Sequence, residues 1–318
     1  MATQQQSVTQ QHGPTIKDYI LAARPVFLSA TLLPVLFGSV IGYEIAAQQG
    51  GGFDFLAMML ALIAVMFMNL GINVLNDVYD DDNGTDRINK HAVIPFTGGS
   101  RVIQQNVITQ DQMKHWSYVL LSLSVLTGFF LFLYKGYPVI VLGLLGLFLS
   151  VGYSMPPIKL ASRGLGELAV ALGAGILPVI GAGWLQTGYL SWVFLLMSVP
   201  ISLWVTNIIL VNEVPDAAAD AASGKITLAV RFGDKATAGL YLMLNITAVA
   251  IVCVAALFGQ IPFMATILPI VLLIPAVLTT KKIRQWKVKR EAFVGGVKFN
   301  IASYLLNIVW IMVCIIVF

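Results

Sequence analysis

The chain has 318 residues, of which 58% are hydrophobic and only 11% charged, with a net charge of +4. Soluble globular domains carry about 25% charged residues, so the composition excludes a water-soluble protein and predicts an all-α polytopic membrane protein. Nucleic acid is excluded as a partner, because no basic run lies outside the segments that flank apolar stretches. No obligate protein partner is evident either.

Residues 1–14 are rich in Gln and Thr and read as a polar N-terminal tail without a cleavable leader. Residues 15–318 read as one integral-membrane domain. A helix needs about 20 apolar residues to cross a bilayer, and nine stretches qualify. They lie near 20–47, 54–76, 115–134, 137–155, 165–185, 190–213, 237–258, 262–280 and 294–318. Turn signals such as Lys135-Gly136-Tyr137-Pro138 separate them. With nine spans, all 19 Lys and Arg except Lys135 fall on one side. The positive-inside rule then predicts a cytoplasmic N-terminus and a C-terminus on the far side. Cys253 and Cys314 sit inside apolar runs and read as small core residues.

Two acidic clusters interrupt this pattern, each directly after an apolar run. The first runs from Asn73 through Asn76, Asp77, Asp80, Asp81 and Asp82 to Asp86 and Arg87. The second runs from Asn212 and Glu213 through Asp216 and Asp220 to Lys225. Both fall on the predicted cytoplasmic side. Carboxylates at a membrane helix are costly, so they are read as functional. Residues four apart share a helix face. Asn73 with Asp77, Asn76 with Asp80, Asp82 with Asp86, and the set Asn212, Asp216 and Asp220 have that spacing. Carboxylates with amide oxygens form a hard-oxygen surface suited to Mg²⁺. A solvated membrane flank accounts for one such cluster less awkwardly than for two with matched spacing. A calcium loop fails, since placing Gly84 at its sixth position puts Tyr79 at its first.

Arg87, Lys90, Arg101, Lys159, Arg163, Lys225 and Arg231 share this side and supply positive charge for an anion such as a diphosphate. Lys159 follows Pro156-Pro157, which stiffen its loop. The run from Lys281 to Arg290 reads as topogenic. Gly98 to Thr109 reads as a glycine turn leading into a short amphipathic segment over the mouth. A cation-coupled transporter is the alternative class. Transporter sites lie near the bilayer midplane, whereas these clusters lie at helix ends.

From Ala23-Arg24-Pro25 to the last helix, these features resemble the UbiA superfamily of intramembrane prenyltransferases. The first cluster resembles its first Asp-rich motif, and Asp216-Ala-Ala-Ala-Asp220 its second. Tyr153-Ser-Met-Pro-Pro-Ile-Lys159 and Gly224-Lys225-Ile-Thr227-Leu228-Ala-Val-Arg231-Phe-Gly233 are similar to its other two conserved stretches. The resemblance implies about nine helices around a central cavity with cytoplasmic cap loops. It also implies Mg²⁺-dependent transfer of a polyprenyl group from its diphosphate to an aromatic acceptor, through an allylic carbocation. On this basis Asn76, Asp77, Asp80, Asn212, Asp216 and Asp220 are the expected metal ligands, with Asn73 and Asp86 in support. Asp77, Asp80, Asp216, Asp220 and Lys159 are the expected catalytic residues. Asn76, Arg87, Arg101, Lys225 and Tyr153 are expected at the diphosphate, and Arg24 or Lys17 at the acceptor carboxylate.

Position 84 is Gly where the ubiquinone-type branch resembles a final Asp. The pattern is more similar to the menaquinone branch, whose acceptor is 1,4-dihydroxy-2-naphthoate. Other branches act on 4-hydroxybenzoate, homogentisate or chlorophyllide, and a catalytically silent lipid binder is a further reading. The expected location is a bacterial cytoplasmic membrane with the mouth on the cytoplasmic side.

Overall fold

The computed structural model describes residues 13–318; all but two residues of the expected polar tail lie outside them. The regular elements of the described residues are all helices, with no strand among them. In chain order they form α1 (Ile16–Ala22), α2 (Ser29–Ala47), α3 (Phe55–Asp82), α4 (Thr85–Ile88), α5 (Gln110–Lys135) and α6 (Pro138–Ser154). Then come α7 (Gly166–Val170), α8 (Leu177–Thr187), α9 (Trp192–Ala222), α10 (Leu228–Leu257), α11 (Ile267–Arg284) and α12 (Arg290–Val317). A π-helical segment, Ala171–Ile176, joins α7 to α8, so that Gly166–Thr187 forms one span. Eight helices are long and apolar enough to cross a bilayer, and α6 is a ninth, shorter apolar helix. This is an integral membrane protein.

Local chemistry sets the ends of these helices. Asp54 caps α3 by accepting from the Ala57 amide at 2.9 Å, and Ser191 caps α9 in the same manner. Thr109 and Gln112 form a reciprocal capping box at the start of α5. Gly136, at φ 86°, ends α5, and Pro138 opens α6 directly after it. α3 packs along α5, α9 along α10, and α2 along α8. The α2–α8 contact is close because Gly38 lacks a side chain, and a Cβ there would strike the Val179 carbonyl.

Two differences from the sequence reading bear on the site. α3 and α9 run through their acidic motifs instead of ending before them, so the carboxylates stand on the last turns of rigid helices. The second acidic connection is correspondingly short, only 223–227. Residues 101–108 are a chain of turns and not an amphipathic helix. Even so, 89–108 forms the cap. Val102 and Ile108 bury against α1, α3 and α5, while Val93 buries against α9, α10 and α12. The cap is thereby anchored in both halves of the bundle.

Candidate active site

A cavity of about 670 Å³ opens beneath the cap. Its floor and walls are apolar side chains of α2, α3, α5, α6, α8 and α9. Among the lining residues, the charged groups gather at its mouth. Along α3 the wall takes Ala61, Val65, Met68, Asn69, Ile72, Asn73, Asn76 and Asp80, whose spacings of one, three and four keep one broad helix face inward. From α9 come Asn212, Glu213, Asp216 and Asp220. On the α5 and α6 wall, Val125, Phe129 and Leu144 line the cavity and are 53%, 50% and 62% exposed.

The two acidic helices meet through Lys225. Its ammonium lies 3.1 and 3.2 Å from the Asp80 carboxylate oxygens and 3.6 Å from Asp220. Burial works to lower its pKa, but the Asp80 and Asp220 carboxylates outweigh it and hold it well above the ordinary lysine value. A cation is thus already held between the motifs. Asn76 donates to Asp80 at 3.1 Å and to Ser154 at 3.0 Å. Asp216 accepts from the Asn89 side chain at 2.7 Å and from the Gly98 amide at 3.0 Å. Gly98 and Gly99 have φ of 70° and 72°, and a Cβ on Gly99 would collide with the Asp86 carboxylate. Glycine is what lets the cap backbone approach so closely. Asp86 is only 3% exposed. Burial first, then the neighbouring Asp80 and Asp77 carboxylates, push its pKa up to about 8.

Not every expected residue reaches the cavity. Asp77 is one position out of the lining stripe and lies behind it. It accepts from the Ser100 amide at 2.7 Å and faces Arg24 at 3.7 Å. Arg87 turns outward and forms a two-pronged pair with Asp81 at 2.8 and 2.9 Å; its side chain is 66% exposed. Arg101 hydrogen-bonds the carbonyls of Asp86 and Asn89, so it staples the cap instead of facing a ligand. Lys159 is half-buried outside the wall, and Lys17 is exposed. Arg24, Tyr153 and Lys225 do line the cavity. Arg24 bonds the Phe96 carbonyl at 3.2 Å, stacks on Phe27 at 4.8 Å, and leaves a buried Nε without a partner. Arg24, Arg101 and Lys159 all hold left-handed backbone, with φ of 52°, 69° and 44°. Non-glycine residues rarely adopt that conformation unless their surroundings enforce it.

Sequence reasoning passed over Glu213 and Asn89. Glu213 is buried, with one carboxylate oxygen lacking a partner, and it faces Glu167. Glu213, Asp216 and Asp220 are spaced by three and four, a helical stripe as regular as the one that starts at Asn212. Asn89 carried no comparable signal, since only the folded cap brings it to Asp216.

An integral-membrane chamber, apolar within and ringed at its mouth by carboxylates, amides, Arg24 and Lys225, suits a molecule with an apolar tail and a polar head. Comparison with known proteins narrows the class. The UbiA prenyltransferase family matches residues 31–304, and the chain belongs to that family. The UbiA prenyltransferase domain-containing protein 1 of Dictyostelium discoideum is 30% identical over 74% of this chain and 72% of its own length. The 1,4-dihydroxy-2-naphthoate octaprenyltransferase of Haemophilus influenzae is 29% identical over 69% and 70%. Among solved structures, a UbiA homolog from Archaeoglobus fulgidus bound to GPP and Mg²⁺ shares the fold. Its TM-score is 0.60 at 15% identity, over 92% of this chain and 99% of that one.

Proposed function

We propose that this prenyltransferase moves a polyprenyl group from its diphosphate to 1,4-dihydroxy-2-naphthoate in a Mg²⁺-dependent reaction. The observation that carries the proposal is Lys225 poised between Asp80 and Asp220 at the charged mouth of an apolar chamber. The donor set fits Mg²⁺. Asn76, Asp80, Asn212, Asp216 and Asp220 offer hard oxygens on two facing helices, and Asn212 Oδ1 and Glu213 Oε2 are buried without partners. These residues would hold the metal, and Asp77 would support them through Ser100 and Arg24. Bound there, Mg²⁺ supplies positive charge that favours departure of the diphosphate.

The chain's own groups account for the rest. Lys225, held between the two motifs, would neutralise a diphosphate oxygen. Asn89 and the Gly98 amide hold Asp216 in place. The apolar walls house the prenyl tail and keep water from the allylic cation. Arg24, with its free Nε, orients the acceptor carboxylate. The bond from the prenyl C1 to the diphosphate oxygen breaks to give the allylic cation, the acceptor carbon bearing that carboxylate bonds to C1, and the carboxylate leaves as carbon dioxide, its bonding pair restoring the aromatic ring.

The names of the Haemophilus and Escherichia coli relatives support the naphthoate over other acceptors. We read residues 15–318 as one catalytic domain, in a bacterial cytoplasmic membrane with the mouth inward. Offering dihydroxynaphthoate, 4-hydroxybenzoate and homogentisate with one polyprenyl diphosphate tests the assignment. Naphthoate product with carbon dioxide release, abolished by EDTA, is expected. Product from hydroxybenzoate alone would overturn the acceptor, and full activity in EDTA would overturn the metal.

A further inference from the structure

The turn between α11 and α12 carries Lys281, Lys282, Arg284, Lys287, Lys289 and Arg290. Only Lys287 of these has an ion-pair partner among the described residues, Asp234 at 3.3 Å. All but Lys282 are exposed, and Val288 at the turn's apex is 85% exposed. A topogenic run needs charge and nothing more, but this one is also tied to the active site. Arg290 donates to the carbonyls of His91 and Ala92 at 3.0 and 2.7 Å. The buried Trp286 ring meets His91 edge-on at 5.8 Å and shares a core cluster with Val93 and Phe293. Two residues before His91, Asn89 grips Asp216. A continuous set of contacts therefore runs from the basic turn through the cap to the second acidic motif.

We propose that this basic turn binds the phosphate headgroups of anionic phospholipids, and that their binding holds the cap closed over the mouth. Four features favour that occupant. The turn joins the ends of two spanning helices, so it lies at headgroup level. Its charge is largely unanswered within the protein. Each cation near an anionic leaflet strengthens attachment by roughly fivefold. Val288 presents an apolar tip that suits the boundary between headgroups and acyl chains.

The test uses the full chain in phosphatidylcholine vesicles with and without phosphatidylglycerol. One variant combines Lys281→Gln, Lys282→Gln, Lys287→Gln and Lys289→Gln, leaving Arg290 on the cap. A second is Val288→Ser alone, a change at an exposed position that spares the fold. Three readouts are taken: phosphatidylglycerol retained in native mass spectrometry, hydrogen exchange of residues 89–99, and prenyl transfer. The wild type should retain the anionic lipid, slow exchange in the cap and gain several-fold in rate when it is present. The quadruple variant should lose all three responses while matching the wild type in phosphatidylcholine, and Val288→Ser should show an intermediate response. Inorganic phosphate added to phosphatidylcholine vesicles should not substitute; if it does, the site takes free anions and the lipid assignment is wrong. Equal lipid retention by wild type and quadruple variant, or cap exchange indifferent to phosphatidylglycerol, overturns the proposal. Retention and exchange are read without substrate, so these outcomes are independent of the acceptor assignment.

Discussion

Replacing Lys225 by Met should move two measurable quantities in opposite directions. Lys225, Asp80 and Asp220 have side chains only 12%, 13% and 3% exposed. Removing one partner of a buried ion pair costs about 3–5 kcal/mol, because the remaining charge is stranded. A divalent cation entering between Asp80 and Asp220 relieves that cost. At about 1.4 kcal/mol per decade, divalent binding without diphosphate should tighten by up to about 10²–10³-fold. Transfer should slow by about 10²–10³-fold, because a preorganised positive group at the leaving diphosphate is gone. Calorimetric titration of Mn²⁺ into the detergent-solubilised protein gives the first quantity, and transfer from a radiolabelled polyprenyl diphosphate gives the second. Weaker or unchanged metal affinity would refute the idea that lysine and metal compete for the same carboxylates. An unchanged rate would refute the lysine's place at the diphosphate.

Three further outcomes are expected. Arg24→Gln should raise KM for dihydroxynaphthoate about 10–100-fold, the worth of one charged hydrogen bond. It should leave KM for the prenyl diphosphate little changed; equal effects on both substrates would remove the assigned role. Asp86, with its folded pKa raised to about 8, contributes stability that is complete below its unfolded value of about 4 and lost as pH rises through about 8. In chelator, the melting temperature should therefore fall between about pH 4 and about pH 8 and level off above that, and Asp86→Asn should flatten that slope; a parallel slope in the variant contradicts the assignment. Glu213→Gln should raise the melting temperature in chelator, since it removes a buried acidic group that faces the Glu167 carboxyl. The same variant should need more Mg²⁺ for half-maximal transfer, and unaltered Mg²⁺ dependence would exclude Glu213 from the donor set.

Much of the architecture was legible in the sequence because lipid imposes a crude rule. A spanning helix must be long and apolar, and each of the nine expected stretches has a helical counterpart. Helix ends were harder to read. Acidic residues lower hydropathy without breaking a helix, so α3 and α9 continue through motifs that read as loops. Four-residue spacing placed Asp77 with Asn73. The inward face, however, passes from Asn73 through Asn76 to Asp80, leaving Asp77 to the cap. The cationic residues show the same limit. Charge and side of the membrane were readable for Arg87, Arg101 and Lys159, but what each side chain meets depends on tertiary contacts. Arg87 finds Asp81 close by, and Arg101 finds two cap carbonyls. Asn89 reaches Asp216 across 127 residues of chain, a distance no local pattern encodes.

The exposed α5 and α6 wall bears on how the proposed reaction would be fed. A prenyl tail entering past Val125, Phe129 and Leu144 would slide in from the bilayer and, once joined to its new head, slide out again without crossing water. The protein would then sample the mole fraction of donor among neighbouring lipids, not its amount per litre. Adding inert phospholipid at fixed total donor thins that population and slows turnover, as it does for lipolytic enzymes working on mixed micelles.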